Sequence, residues 1–505
     1  MTSVFLIDSA APLTADAIVV ATVSTDDGVA LADGAAGVDA ALGGVLLAAL
    51  RAVEASGRAD EAIKIPTLGK SATPLIVATG LGRAEPGTLD PEAVRRAVGT
   101  ALRGLQSAKR VAVAIGTGTD PELVAAISEG ALLGGYRFLK YKPSAKPNEL
   151  RRLDIAVSEP AQASAKAAIR RSRIIAEAVN NTRDLVNTPA NDLNPVTFAG
   201  YAREQGEAAG LAVEVLDERA LKRGRFGGIL AVGSGSHTPP RLVRLSYAPA
   251  RARTRVALVG KGITFDTGGL DIKHTGMGDM KADMAGAAAV IESIIAAARL
   301  KLPIAITATV PMAENAVSGS SYRPSDILVM RDGRTVEIDN TDAEGRLILA
   351  DAILRACEDS PDYLIDTATL TGGQVVALGS GTSGVMGTEA FRDRVVAIGT
   401  AAGESLWPMP LPLRLRTALD SPVADAVNLP KDRSASMLVG GTFLNSFVPE
   451  GLDWVHIDIA GPAFLKSASG YNGEGGSGVI VRTLVASLID LSEDSAAEIR
   501  RSGTR

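Results

Sequence analysis

Residues 255–298 constrain the fold most. Arg255–Gly260 (RVALVG) is a strand by its Val and Leu content, and Ala285–Ala298 is a helix of small and aliphatic residues. The Gly-rich turn between them carries Lys261, Asp266, Lys273 and Asp283. An apolar strand leading through such a turn into a small-residue helix fits a parallel sheet covered by helices. Open α/β sheets place their sites where strands end and helices begin.

A second stretch carries more charge of the same kind. In Asn340-Thr341-Asp342-Ala343-Glu344-Gly345-Arg346-Leu347, two carboxylates lie one residue apart with a guanidinium two residues on. The apolar run that follows has the spacing of a buried helix, so Asp342 and Glu344 fall in a loop and first helical turn. Asp342 as a helix cap and Glu344 as a first-turn acid is the plain alternative for this octapeptide alone. Four acids (Asp266, Asp283, Asp342, Glu344) and three bases (Lys261, Lys273, Arg346) near strand ends or helix starts exceed what a solvated surface explains. Carboxylates packed in one cleft without cations would have to take up protons, and hard divalent cations suit oxygen ligands.

KGITFDTGGLDIK together with NTDAEGRL resembles the leucyl aminopeptidase family of two-metal exopeptidases, the cytosol aminopeptidases. NTRDLVNTPAN at 181–191, SGSSYRPSDI at 318–327, DTATLTGG at 366–373 and HIDIAGPA at 456–463 support the resemblance, which runs over roughly 175–485. The amino-terminal third does not carry the resemblance.

The resemblance implies two divalent ions per subunit, Mn²⁺ or Zn²⁺ or Mg²⁺, with Asp266 and Glu344 bridging both. Asp283 and the Lys261 amine would complete the tighter site and Asp342 the looser one. A ligating lysine must be neutral; an ordinary Lys261–Asp266 ion pair is the alternative. The ions would hold a bridging water as nucleophile and polarise the scissile carbonyl. Lys273 would stabilise the oxyanion, and Arg346 would hold bicarbonate as a proton relay. Met280, Asn340, Thr369, Leu370, Gly372, Ala460 and Ala463 would form the substrate pocket, apolar enough for Leu or Met side chains. Two departures bear on specificity. Lys273 to Asp283 is one residue shorter than the usual family spacing, and Ala463 stands where some members carry Met. Peptide substrates and a homohexamer with enclosed sites also follow from the resemblance.

The chain has 505 residues, so two or more domains are expected. A formal net charge of −5 disfavours nucleic acid as a partner. The pairs Arg151-Arg152 and Arg170-Arg171 and the tail RRSGTR read as solvated. The single cysteine, Cys357, lies on the apolar face of the helix after Arg346 and reads as a buried small hydrophobe. MTSVFLIDSAAP lacks a basic region and a long apolar core. No uncharged apolar run is long enough to span a bilayer, and the chain reads as cytoplasmic.

Residues 1–160 alternate strand signals (Ser3–Ile7, Ala17–Val23, Leu75–Leu81, Arg110–Thr117, Leu153–Val157) with helix signals (Val38–Ala55, Pro91–Leu105, Pro121–Leu139), a small α/β domain for assembly or access. Gly69-Lys70-Ser71 ends like a P-loop, but Lys64 stands where that motif needs its first glycine. Residues 161–181 read as a connecting helix and 182–491 as a catalytic α/β domain with a mostly parallel central sheet. Residues 492–505 read as a polar, frayed tail. The histidines are His237, His274 and His456. No H-E-x-x-H or G-x-S-x-G occurs; His456 reads as a satisfied core residue and His274 as a loop residue. A Mg²⁺-dependent phosphoester hydrolase and a DNA-binding regulatory protein are the rival readings.

Overall fold

The computed structural model describes residues 2–83, 88–160, 162–250 and 252–502, with the side chains of 494–502 outside the description. The chain divides into two units: 2–180 with 466–474, and 181–465 with the rest. The Ala163–Asn187 helix runs across the division and six residues past the expected connector.

The first unit is built on β1 (Ser3–Asp8), β2 (Ala17–Thr25), β3 (Gly28–Leu31), β4 (Ala62–Pro66), β5 (Leu75–Gly80), β6 (Arg110–Ala114) and β7 (Arg152–Val157). They order as β1-β7-β6-β2-β5-β4, with β3 on β2. The first five of that row are mutually parallel. One face buries Val94, Val98 and Leu102 of the Pro91–Arg103 helix. The other face meets two short helices, Ala36–Ala41 and Leu46–Ala52, where one helix over 38–55 is expected. Gly43 (φ 82°) and Gly44 (φ 74°) lie between them in the left-handed region, which ends the first helix.

The second unit is organised by β8 (Ala212–Leu216), β9 (Arg241–Tyr247), β10 (Arg255–Gly260), β11 (Gly262–Asp266), β12 (Ala305–Asn315), β13 (Tyr363–Ala368), β14 (Ser383–Gly387), β15 (Leu406–Pro408) and β16 (Asp453–Asp458). Their order is β15-β14-β16-β13-β10-β12-β9-β8, with β11 beside β12. The centre is parallel, and β8, β9 and β14 pair antiparallel. The Ala285–Leu300 helix is buried along nearly its whole length and packs on the sheet. Gly286 permits the contact: a Cβ there would meet Thr367 O at 2.2 Å. The Gly345–Cys357 helix sets Leu347, Ile348, Ile353 and Ala356 into the main core of this unit. Cys357 packs beside that core half-buried, and burial pushes its thiol up to about 12. The last helix, Val481–Ser502, continues through most of the expected tail; 503–505 lie outside the described residues.

Candidate active site

The carboxyl ends of the central parallel strands gather the site. Lys261 directly follows β10, Asp266 ends β11, Asn315 ends β12, Thr369 follows β13 and Asp458 ends β16. Asp283 sits between a 3-10 turn (Met277–Ala282) and the Ala285–Leu300 helix, and Glu344 immediately precedes the Gly345–Cys357 helix. Side chains distant in sequence therefore meet at one edge of the sheet.

Two lysines bind this group together. Lys261 Nζ contacts Asp283 Oδ1 and Glu344 Oε1, each at 2.8 Å, and donates to Thr369 O at 2.8 Å. Asp266, the alternative partner for Lys261, pairs instead with Lys273, whose Nζ lies 2.8 Å from Asp266 Oδ2 and 2.5 Å from Asp342 Oδ1. Asp266 Oδ1 accepts from Gly268 N at 2.9 Å and Asn315 Nδ2 at 2.8 Å. Thr369 Oγ1 donates to Asp283 Oδ1 at 2.7 Å. A Cβ on Gly345 would lie 2.6 Å from Lys261 Cε, so a side chain there would push the lysine aside.

Four carboxylates thus face two ammonium groups in a mostly buried cleft. Burial, reinforced by the Glu344 charge, raises Asp266 to about 7 despite both lysines. Asp283 is driven well above the carboxylate range by burial, which Lys261 only partly offsets. Burial and Glu344 also raise Asp342. Burial pushes Glu344 up too, but Lys261 and Lys273 together hold it below its ordinary value. Desolvation would lower both lysines, yet the surrounding carboxylates raise them and keep them charged.

The donor set fits divalent cations. Asp266, Asp342 and Glu344 each offer an oxygen within 4.8 Å of the others. Asp283 Oδ2 and Glu344 Oε2 are buried without a hydrogen-bond partner. Buried carboxylate oxygens left unpaired are costly, and a cation answers both them and the surplus negative charge.

Arg346 is buried beside this group. Its Nη1 donates to Asn428 O at 2.9 Å, while Nε has no partner. Burial lowers the guanidinium to about 10 against the pull of Glu344 and Asp458.

Of the expected pocket residues, Thr369 is bonded into the cluster, and Met280 O accepts from Asp283 N at 3.3 Å. Asn340 Oδ1 accepts from Asp342 N at 2.7 Å. Leu370 N and Ala460 N both donate to Asp458 Oδ1, at 3.1 and 3.2 Å. Gly372 is exposed at the start of the Gly372–Leu378 helix. Ala463 is only 1% exposed, with its carbonyl taken by Ser477 N at 3.1 Å, and no hydrogen bond links it to the carboxylates. His274 is exposed in its loop. His456 departs from the satisfied core residue expected: Nδ1 pairs with Asp366 Oδ1 at 2.5 Å, but Nε2 has no partner.

Several supporting residues escape a reading of the sequence. Asn428 Oδ1 accepts from Asp339 N at 2.9 Å, and its Nδ2 donates to Asn340 O at 2.7 Å, clamping the acidic loop. The Tyr322 hydroxyl donates to Thr341 O at 2.6 Å, and Asn315 Nδ2 to the same carbonyl at 3.0 Å. Tyr322 and Asp458 lie inside the quoted motif blocks, but no local pattern marks Asn315 or Asn428.

Comparison with known proteins agrees with this geometry. The catalytic domain of the cytosol aminopeptidase family matches residues 180–485, and the amino-terminal domain of the same family matches 19–145. The likeness therefore reaches the amino-terminal third, where the motifs do not. A probable cytosol aminopeptidase of Rhodococcus opacus (strain B4) is 50% identical over 487 residues, covering 94% of this chain and 95% of its own. A probable cytosol aminopeptidase of Streptomyces coelicolor is 47% identical over 508 residues, covering 96% and 98%. Among solved structures, a tomato leucine aminopeptidase mutant superposes with a TM-score of 0.86 at 29% identity, covering 97% of each chain. The bottromycin maturation enzyme BotP in complex with Mn gives a TM-score of 0.83 at 33% identity, covering 95% of this chain and 100% of its own. The chain belongs to the cytosol aminopeptidase family and is a metal-dependent aminopeptidase.

Proposed function

We propose that the enzyme releases bulky apolar residues, Leu foremost, from the amino termini of peptides through a two-metal centre. The observation that carries the metal centre is the pair of buried, unpartnered oxygens on Asp283 and Glu344, beside the oxygen cluster of Asp266, Asp342 and Glu344. Asp266 and Glu344 would hold both ions, with Asp283 and Lys261 completing one site and Asp342 the other; an ion there would have to displace the proton that the carboxylates otherwise keep on Lys261. Two divalent ions there, Mn²⁺ or Zn²⁺, would supply a low-pKa water and a charge that polarises the scissile carbonyl. Lys273, released from Asp266 and Asp342, carries the positive charge that faces the oxyanion. The unpartnered Arg346 Nε offers a buried donor for a small anion such as bicarbonate, placed to take up and return a proton.

Met280, Asn340, Thr369, Leu370, Gly372, Ala460 and Ala463 are our candidates for the substrate wall. Backbone held by Asp458 at Leu370 and Ala460 gives that wall a fixed frame. A homohexamer in the cytoplasm completes the reading, the hexamer resting on the family resemblance alone. The test is a panel of amino-acyl anilides, with light scattering for mass. Leu and Met anilides should be hydrolysed at least about tenfold faster than Asp or Lys anilides. Equal rates across the panel would overturn the specificity. A mass other than six chains would overturn the assembly.

A further inference from the structure

The amino-terminal unit holds a cavity of about 530 Å³ that opens to solvent. The 9–14 loop, the Ala36–Ala41 helix and the residues at the carboxyl ends of β6 and β7 surround it. Such ends of a parallel sheet are where α/β folds hold ligands. The sheet also changes direction here: β6 is followed by β7 on one side, while β2 leads to β5 on the other. The volume lies within the range of small-molecule sites.

The lining indicates what would enter. It contains no carboxylate, and its one charged side chain is Lys70, exposed and without an ion pair among the described residues. Gly69-Lys70-Ser71, which fails as a P-loop, thus supplies a cation to this wall. Thr117 lines the cavity with its backbone, its hydroxyl being buried away from the open space. Gly116 N and Thr117 N are taken by Asp33 O and Ile115 O, each at 2.7 Å, but Gly118 N has no partner among the described residues. Gly34 brings its loop directly against this one, since a Cβ there would lie 2.5 Å from Gly116 N. Leu13, Ile18, Val38 and Leu42 make the rest largely apolar.

We propose that this cavity is a second ligand site, for a phosphorylated small molecule of nucleotide size. Its phosphate would meet Lys70 and the Gly118 amide. Its heterocycle would lie on Leu13, Ile18, Val38 and Leu42. The space exceeds what a bare phosphate fills, and the absence of acids disfavours a cationic ligand. The site is independent of the peptidase reading.

Isothermal titration of the full chain with ADP, adenosine and inorganic phosphate tests it, repeated in Lys70→Ala and Ala41→Trp. Ala41 lines the cavity from an exposed position, so Trp there fills the space without entering the core. ADP should saturate one site per chain, at least about tenfold more tightly than adenosine or phosphate. Ala41→Trp should weaken ADP by about tenfold or more, and Lys70→Ala by about fivefold. Leucine anilide hydrolysis should stay unchanged in both variants. Absence of saturable ADP binding, adenosine binding as tight as ADP, or ADP affinity unchanged in Ala41→Trp would each overturn the proposal. So would ADP binding lost in Glu344→Gln, which would place it at the carboxylate cluster.

Discussion

Glu344 is the residue on which the centre turns, because one oxygen pairs with Lys261 and the other has no partner. Glu344→Gln keeps the shape and the Lys261 contact but removes the charge. Hydrolysis should fall by at least about a hundredfold with the melting temperature little changed; a variant of near-normal activity would remove Glu344 from the mechanism. Asn428 acts one step back, holding Asp339, Asn340 and Arg346 through bonds to side chain and carbonyl. Asn428→Ala should weaken metal affinity by about tenfold or more and restore with added metal. An unchanged metal titration would make the clamp merely structural. The charged residues were legible because acids and lysines in a Gly-rich turn announce themselves by type. Asn428 and Asn315 were not, since their partners lie 82–89 and 26–49 residues away and nothing local marks them.

At the scale of elements, the Gly345–Cys357 helix joins the site to the core. Its first residue faces Lys261, so Gly345→Ala would set a Cβ 2.7 Å from Lys261 Nζ. Helix propensity favours Ala there by up to about 1 kcal/mol, yet the displaced lysine should lower activity even if the melting temperature rises. Retained activity would mean that Lys261 is dispensable. Asp351, in the same helix, accepts from Ile229 N and Arg331 N at 3.0 Å each. Burial, against these backbone bonds, raises it to about 7 from 3.8. A carboxyl raised in the folded state contributes stability that is fully present below its unfolded value and is lost as pH rises through about 7. The advantage of the native chain over Asp351→Asn should therefore shrink by about 1.4 kcal/mol for each pH unit crossed in that window. A constant difference in denaturant midpoints between pH 5 and 8 would contradict it. The long apolar elements were plain in the sequence because burial on both faces leaves continuous Val, Ala and Ile runs. β14 was not: Ser383–Gly387 has two glycines and a serine and owes its place to pairing with β16. The split of the 38–55 helix turned on Gly43 and Gly44, whose φ values no periodicity reveals.

For the whole molecule, the α/β character of both units follows from the order of strand and helix signals, while the division between residues 180 and 181 falls inside a continuous helix and has no such mark. The return of 466–474 to the first unit has no such signal, because it depends on contacts far along the chain. Among the described residues no helix is long and apolar enough to cross a membrane. The central claim is that Lys261, Asp266, Asp283, Asp342 and Glu344 form one metal-dependent centre. The measurement that tests it most directly is metal content and leucine anilide hydrolysis followed on one preparation. Both are read after chelation and after return of Mn²⁺ or Zn²⁺. Activity should vanish with the metal and return as two ions bind per chain. Full hydrolysis by the chelated enzyme, or two ions bound with no hydrolysis regained by the folded chain, would contradict it.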